Sequence, residues 1–124
     1  MNSDTPRGIV LFAHGSRDAR WREPVEAVAR RIGQLEPGVL VRCAYLEAAT
    51  PDLATALAEL ASQGAVKVEV LPIFLGVGKH LREDLPRLMA ELQQAHPGLQ
   101  LRLRQAVGEA PELIDALARL ALKN

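Results

Sequence analysis

An α/β fold built on a parallel sheet follows from three observations. Four short apolar runs each feed a stretch of helical periodicity, the runs are rich in Val, Leu and Ile, and Gly or Pro punctuates the junctions. The first run, Gly8-Ile9-Val10-Leu11-Phe12-Ala13, is apolar without alternation, as a strand buried on both faces must be, and it stops at His14-Gly15-Ser16. Val25, Val28, Ala29, Ile32 and Leu35 recur at helical spacing over 22–35, with Pro24 tolerable in the first turn and Pro37-Gly38 as the stop. Residues 39–46 give the second strand. Thr50-Pro51-Asp52 opens a helix reaching Ser62, with Leu53, Leu57 and Leu60 on one face. The stretch 66–75 starts as alternation and becomes wholly apolar; Pro72 argues against it, because proline donates nothing to a ladder. A loop from Gly76 to His80 then leads to a helix over 83–95. Its inner face carries Leu85, Leu88, Met89 and Leu92, Glu83 and Asp84 suit its positive end, and His96 caps its close before Pro97-Gly98. Residues 99–104 alternate strictly and form an edge strand, and 111–122 is helical by Leu113, Ile114, Leu117 and Leu120.

Right-handed crossovers reduce the topologies to a few, and a flavodoxin-like order of 2-1-3-4 puts the two most apolar strands in the middle. The expectation is a single three-layer domain over 8–124, with helices on both faces of a four-stranded parallel sheet and an N-terminal extension over 1–7. The carboxyl ends of the first and third strands then form the switch point at which open α/β sheets bind ligands.

A chain of 124 residues has room for one domain. Fifteen Lys and Arg balance fifteen Asp and Glu, so no global field draws in nucleic acid or an anionic membrane, and four aromatic residues provide little base-stacking surface. Cys43, the one cysteine, excludes an intramolecular disulfide and a thiolate zinc site, which fits a reducing, cytoplasmic setting. No secretory pattern opens the chain, and no run approaches the roughly 20 apolar residues of a membrane span.

His14 ends the first strand, His80 follows the third, and Glu47 ends the second, so the topology directs all three to one crevice. Two imidazoles and a carboxylate suit a divalent first-row metal, and so few protein ligands leave coordination positions open for exchange or catalysis. The ordinary alternative for either histidine is a hydrogen-bonded loop residue. Arg17, Arg20 and Arg22 on one side, with Lys79 and Arg82 on the other, flank the crevice in an otherwise neutral chain and suit a ligand bearing several carboxylates. Gly15, Gly76 and Gly78 let backbone approach a flat ligand. Neither a dinucleotide fingerprint nor a phosphate loop is present. Ser16 lacks a nucleophile elbow, and Cys43 lies inside a strand as a small buried hydrophobe.

Taken together, His14-Gly15-Ser16-Arg17, Tyr45-Leu46-Glu47 with Pro51, Pro72-Ile73-Phe74-Leu75, Gly78, His80 and Asp84-Leu85-Pro86 resemble the short form of the sirohydrochlorin cobaltochelatases, class II chelatases, over roughly 8–122. The resemblance implies insertion of a divalent metal into the octacarboxylate tetrapyrrole sirohydrochlorin, with Co2+ as metal substrate (Ni2+ or Fe2+ in relatives), no ATP and no organic cofactor. It also implies a homodimer and a place in cobalamin or siroheme-type cofactor biosynthesis. By position it assigns His14 as metal ligand and proton acceptor and His80 as second metal-binding histidine. Glu47 falls on a glutamate that some short members lack. The stretch Gly76, Val77, Gly78, Lys79, His80 and Leu81 corresponds to the tetrapyrrole-contacting loop, Ala49 falls near another contact, and Arg17 is among the cations that would flank the macrocycle. Two other readings remain: a noncatalytic carrier of metal or tetrapyrrole, and a phosphoryl-transfer enzyme with His14 as nucleophile. The second usually places arginine before that histidine, where Ala13 stands.

Overall fold

The computed structural model describes residues 6–124, so most of the extension expected over 1–7 lies outside the described residues. Strands β1 (Gly8–Ala13), β2 (Leu40–Tyr45), β3 (Lys67–Pro72) and β4 (Gln100–Leu103) form one parallel sheet in the order β2-β1-β3-β4. They alternate with helices α1 (Glu23–Leu35), α2 (Leu53–Ser62), α3 (Lys79–Ala95) and α4 (Pro111–Leu122), and 3-10 turns at Ala19–Arg22 and Val107–Glu109 precede α1 and α4. The expected strand order and fold class are those observed.

β1 is central and faces protein on both sides. Val10 and Phe12 join the larger core cluster with Leu53, Leu57 and Leu60 of α2 and Leu85, Met89 and Leu92 of α3. Leu11 and Ala13 pack on the opposite side with Val25, Ala29 and Ile32 of α1. Burial on both faces is the physical reason its sequence lacks a polar alternate. β4 shows the contrary case: Leu101 and Leu103 pack inward, while Gln100, Arg102 and Arg104 are exposed. On that outer face Glu69 bridges Arg7 at 2.8 Å and Arg102 at 3.2 Å, and the Arg7 bond holds its carboxyl below the usual range.

Pro72 proves compatible with the sheet because of where it stands. The Ile73 amide donates to Phe12 across the β1 side, so the nitrogen of Pro72 points the other way, toward β4, whose pairing has ended with Leu103 opposite Val70. No ladder bond is lost.

One expectation needs correction. The third helix begins at Lys79 rather than at Glu83, with Gly78 at its N-cap, so Lys79, His80 and Leu81 form its first turn and Pro86 sits in its interior. The Lys79 cation in this first turn opposes the helix dipole by about 0.3–1 kcal/mol at an exposed position. α4 has the expected limits, yet none of its residues is buried. The stripe of Leu and Ile that marks it as a helix does not cover its own sheet.

Candidate functional site

Hydrogen bonding continues past the strand ends and builds the site. The Leu46 amide donates to the Ala13 carbonyl at 2.9 Å, the Glu47 amide to the His14 carbonyl at 3.0 Å, and the Ile73 amide to the Phe12 carbonyl at 2.7 Å. His14 and Glu47 therefore stand on adjacent, bonded segments beyond β1 and β2, and the chain after β3 is drawn alongside. Phe74 lies on that third segment, buried, with its ring centroid 4.3 Å from the His14 imidazole and tilted by 41°. Phe74 is itself set edge-on against Phe12 at 6.1 Å. An exposed imidazole thus rests on an aromatic floor anchored in the core.

Gly15 makes the approach of these segments possible. Its φ is +93°, and a Cβ there would lie 1.9 Å from the Glu47 carbonyl oxygen. Within the chain its close contact is with the neighbouring strand end. Gly76 and Gly78 have open space where a side chain would stand. Gly108 is a contributor that sequence reasoning missed. Its amide donates to the Phe74 carbonyl at 3.0 Å, and a Cβ there would fall 1.8 Å from the Leu75 carbonyl oxygen. The turn before α4 thereby backs the segment that supports His14. Only a long-range contact creates this requirement, so no local pattern announces it.

His80 is the second residue of α3 and is exposed. It lines a groove of about 530 Å³ with Leu46, Leu81, Asp84, Leu88 and Glu91, so the connection after β2 and the start of α3 meet there. Among the described residues no three His, Cys, Asp or Glu side chains gather into a group able to hold a metal ion. His14, Glu47 and His80 share the strand-end edge without forming a closed coordination site.

The remaining candidates divide. Arg17 and Lys79 are exposed at this edge. Arg20 is less available than its position suggested: Asp18 accepts from its Nε at 3.1 Å and its Nη2 at 2.7 Å, which holds the Asp18 carboxyl below the usual range. Arg22 is half-buried at the start of α1, and Arg82 reaches toward the Val77 carbonyl at 3.5 Å. Val77 and Leu81 are half-buried against the larger core cluster, and Ala49 against the smaller one, so each is partly committed to packing. Burial raises the Cys43 thiol pKa, which removes thiolate character, and pushes the Tyr45 phenol up to about 12. His96 is the C-cap of α3, remote in sequence from this edge. Trp21 and Leu75, exposed apolar residues on the segments after β1 and β3, were not among the candidates.

The CbiX family model matches residues 8–123, the entire span of the fold just described. The chain belongs to the CbiX family. A sirohydrochlorin cobaltochelatase from Methanosarcina acetivorans is 34% identical over 83 residues, which cover 67% of this chain and 64% of that protein. Less than two thirds of that relative's length is therefore spanned. The CbiX protein of Marinobacter aquaeolei VT8 is similar in structure, with a TM-score of 0.81, 36% identity and 94% of each chain covered. The chelatase SirB of Bacillus subtilis subspecies spizizenii, solved with cobalt, has the same fold at a TM-score of 0.77 and 21% identity; 93% of this chain matches 49% of that one. Among the described residues no helix is long and apolar enough to cross a membrane.

Proposed function

We propose that this CbiX protein inserts a divalent metal ion, Co2+ in first place, into sirohydrochlorin without ATP. The observation that carries the reading is His14: an exposed imidazole, fixed on Phe74, at the switch point of a CbiX-family sheet. Insertion breaks two pyrrole N–H bonds and moves the ion from protein ligands to macrocycle nitrogens. It needs a base that works near neutral pH and a coordination site loose enough to release its metal. In this reading His14 takes up pyrrole protons, passes them to solvent and meets the incoming ion, while His80 is the second ligand and Glu47 a nearby carboxylate. The open backbone at Gly76 and Gly78 approaches the macrocycle, with Val77, Leu81 and Ala49 as secondary contacts. Arg17 and Lys79 meet its carboxylates, a partner that offsets the unfavourable placement of Lys79 in the first turn of α3. A homodimer belongs to the same reading, since one sheet edge offers a flat macrocycle one wall.

Single-turnover insertion by the purified protein is the test. Metal-free sirohydrochlorin and Co2+, followed by absorbance, are expected to give the metallated spectrum faster than the two do alone, with Ni2+ and Fe2+ as comparisons. Tight binding of either substrate without acceleration would make the protein a carrier. His80→Ala is expected to weaken Co2+ binding at least tenfold while changing sirohydrochlorin affinity less than threefold, because its imidazole is a ligand and the neighbouring backbone makes the macrocycle contact. Isothermal titration with each substrate separately checks it, and equal losses would end that division of labour.

A further inference from the structure

We infer that Asp84 holds the incoming divalent ion together with His80, one turn away on α3, as a two-point docking site, resting on the proposed function for the identity of that ion. His14, Glu47 and His80 do not gather into a group of three able to hold a metal, and neither His14 nor Glu47 lines the groove that His80 lines. One imidazole is a single donor, whereas a first-row ion takes about four or more. A second protein donor for an ion on His80 must therefore come from that groove.

Besides His80, the titratable side chains that line it are Asp84, Arg87 and Glu91. Residues four apart on a helix have Cβ atoms about 5–6 Å from one another. One ion bonded at ~2.0–2.2 Å to an imidazole nitrogen and to a carboxylate oxygen closes that gap. Both His80 and Asp84 are exposed, so neither gives up packing to turn toward an ion. Glu91 stands about 16 Å further along the axis than His80 and is out of reach. Arg87 carries the wrong charge.

The fold gives the Asp84 carboxylate no other employment. It is the sixth residue of α3, beyond the first turn, where the helix dipole no longer favours an acid. Among the described residues no ion pair takes it up, although Arg87 stands three residues on. Half-buried Leu81 and Leu88 and buried Leu85 line the same groove, and an apolar floor strengthens the attraction between a carboxylate and a cation above it. Two protein donors leave the remaining coordination positions to water, which arriving macrocycle nitrogens displace. A cargo ion must be held loosely enough to be given up, and a pair of donors one turn apart does that where a closed set of four would trap it.

Isothermal titration of the full chain with Co2+ alone, no tetrapyrrole present, tests the pair without measuring insertion. Asp84→Asn is expected to weaken Co2+ binding about tenfold, the low end of what loss of a supporting carboxylate costs a metal site. Glu83→Gln removes the same charge from the neighbouring residue, which does not line the groove, and is expected to change binding less than about twofold because exposed charge is screened. In a His80→Ala background, Asp84→Asn is expected to add little, since a chelate lost at one end is lost whole. All three positions are exposed, so the circular dichroism spectrum should stay that of the parent. Equal weakening by Asp84→Asn and Glu83→Gln overturns the inference, as does a parent that binds no Co2+. So do losses at His80 and Asp84 that simply add, because the carboxylate would then act through its charge and not on the ion that His80 holds. Failure of insertion with the expected binding pattern intact would instead remove the chelatase reading and leave the docking pair standing.

Discussion

His14→Ala is expected to slow metal insertion by ~10²–10⁴-fold, the usual worth of a positioned proton acceptor, and to leave the protein folded. The two halves of this expectation have separate physical grounds. The side chain is exposed, so its removal opens no cavity. What is lost is one tilted ring contact with Phe74, and aromatic contacts contribute about 0.5–1.5 kcal/mol; the melting temperature should fall by no more than a few degrees. The rate, in contrast, loses both a base and a ligand at the point where the fold concentrates its ligand-binding edge. Single-turnover absorbance and thermal unfolding on one preparation check both. A rate within threefold of the parent corresponds to less than ~1 kcal/mol of barrier and would remove His14 from the chemistry. Phe74→Leu is the informative companion: it keeps the imidazole and removes its floor, so it should lower the rate less than His14→Ala does while costing more stability.

What the sequence discloses about this fold depends on whether a constraint is local. The unbroken apolar run of β1 and the strict alternation of β4 each report the number of buried faces, and together with the crossover rule they suffice for the order β2-β1-β3-β4. The expected start of α3 differs from the observed one because a sound rule points to Glu83. Carboxylates belong in a first turn, and Glu83 and Asp84 supply them. The actual start breaks that rule, with no carboxylate in the first turn, Lys79 at the positive end and Pro86 inside. Local rules fail most often where a site makes competing demands, and that conflict is itself a mark of function. The support that Phe74 gives to His14 and the role of Gly108 are unreadable for a different reason: each works through a contact with a distant segment, His14 in one case and Leu75 in the other. The bare stripe of α4 was also unreadable, since amphipathic spacing shows that a face needs cover without showing whether its own chain supplies it.

Gly15→Ala should fail in both respects, folding and activity, and so complements the histidine variant. The position has φ +93°, where an L residue carries an intrinsic penalty of roughly 1–2 kcal/mol. A methyl group 1.9 Å from the Glu47 carbonyl oxygen and 3.2 Å from the Tyr45 Cβ cannot be accommodated by a side-chain rotation, because the nearest obstacle is backbone. The segments must separate, and the bond from the Glu47 amide to the His14 carbonyl, 3.0 Å long, is the one in the way. Losing a bond of this kind adds about 1 kcal/mol, for a total of about 2–3 kcal/mol and a fall in melting temperature on the order of 10 °C. Separation also lifts His14 from its place beside Glu47, so insertion should slow by at least tenfold even at temperatures where the variant is fully folded. Gly38→Ala is the control, because an added methyl there meets nothing within 4 Å and the position lies far from the edge in sequence. Calorimetry and single-turnover rates at 15 °C below each variant's own midpoint separate unfolding from misplacement. A Gly15→Ala protein as stable and as fast as Gly38→Ala would mean that the close approach of His14-Gly15 to Glu47 is not what holds the imidazole in position.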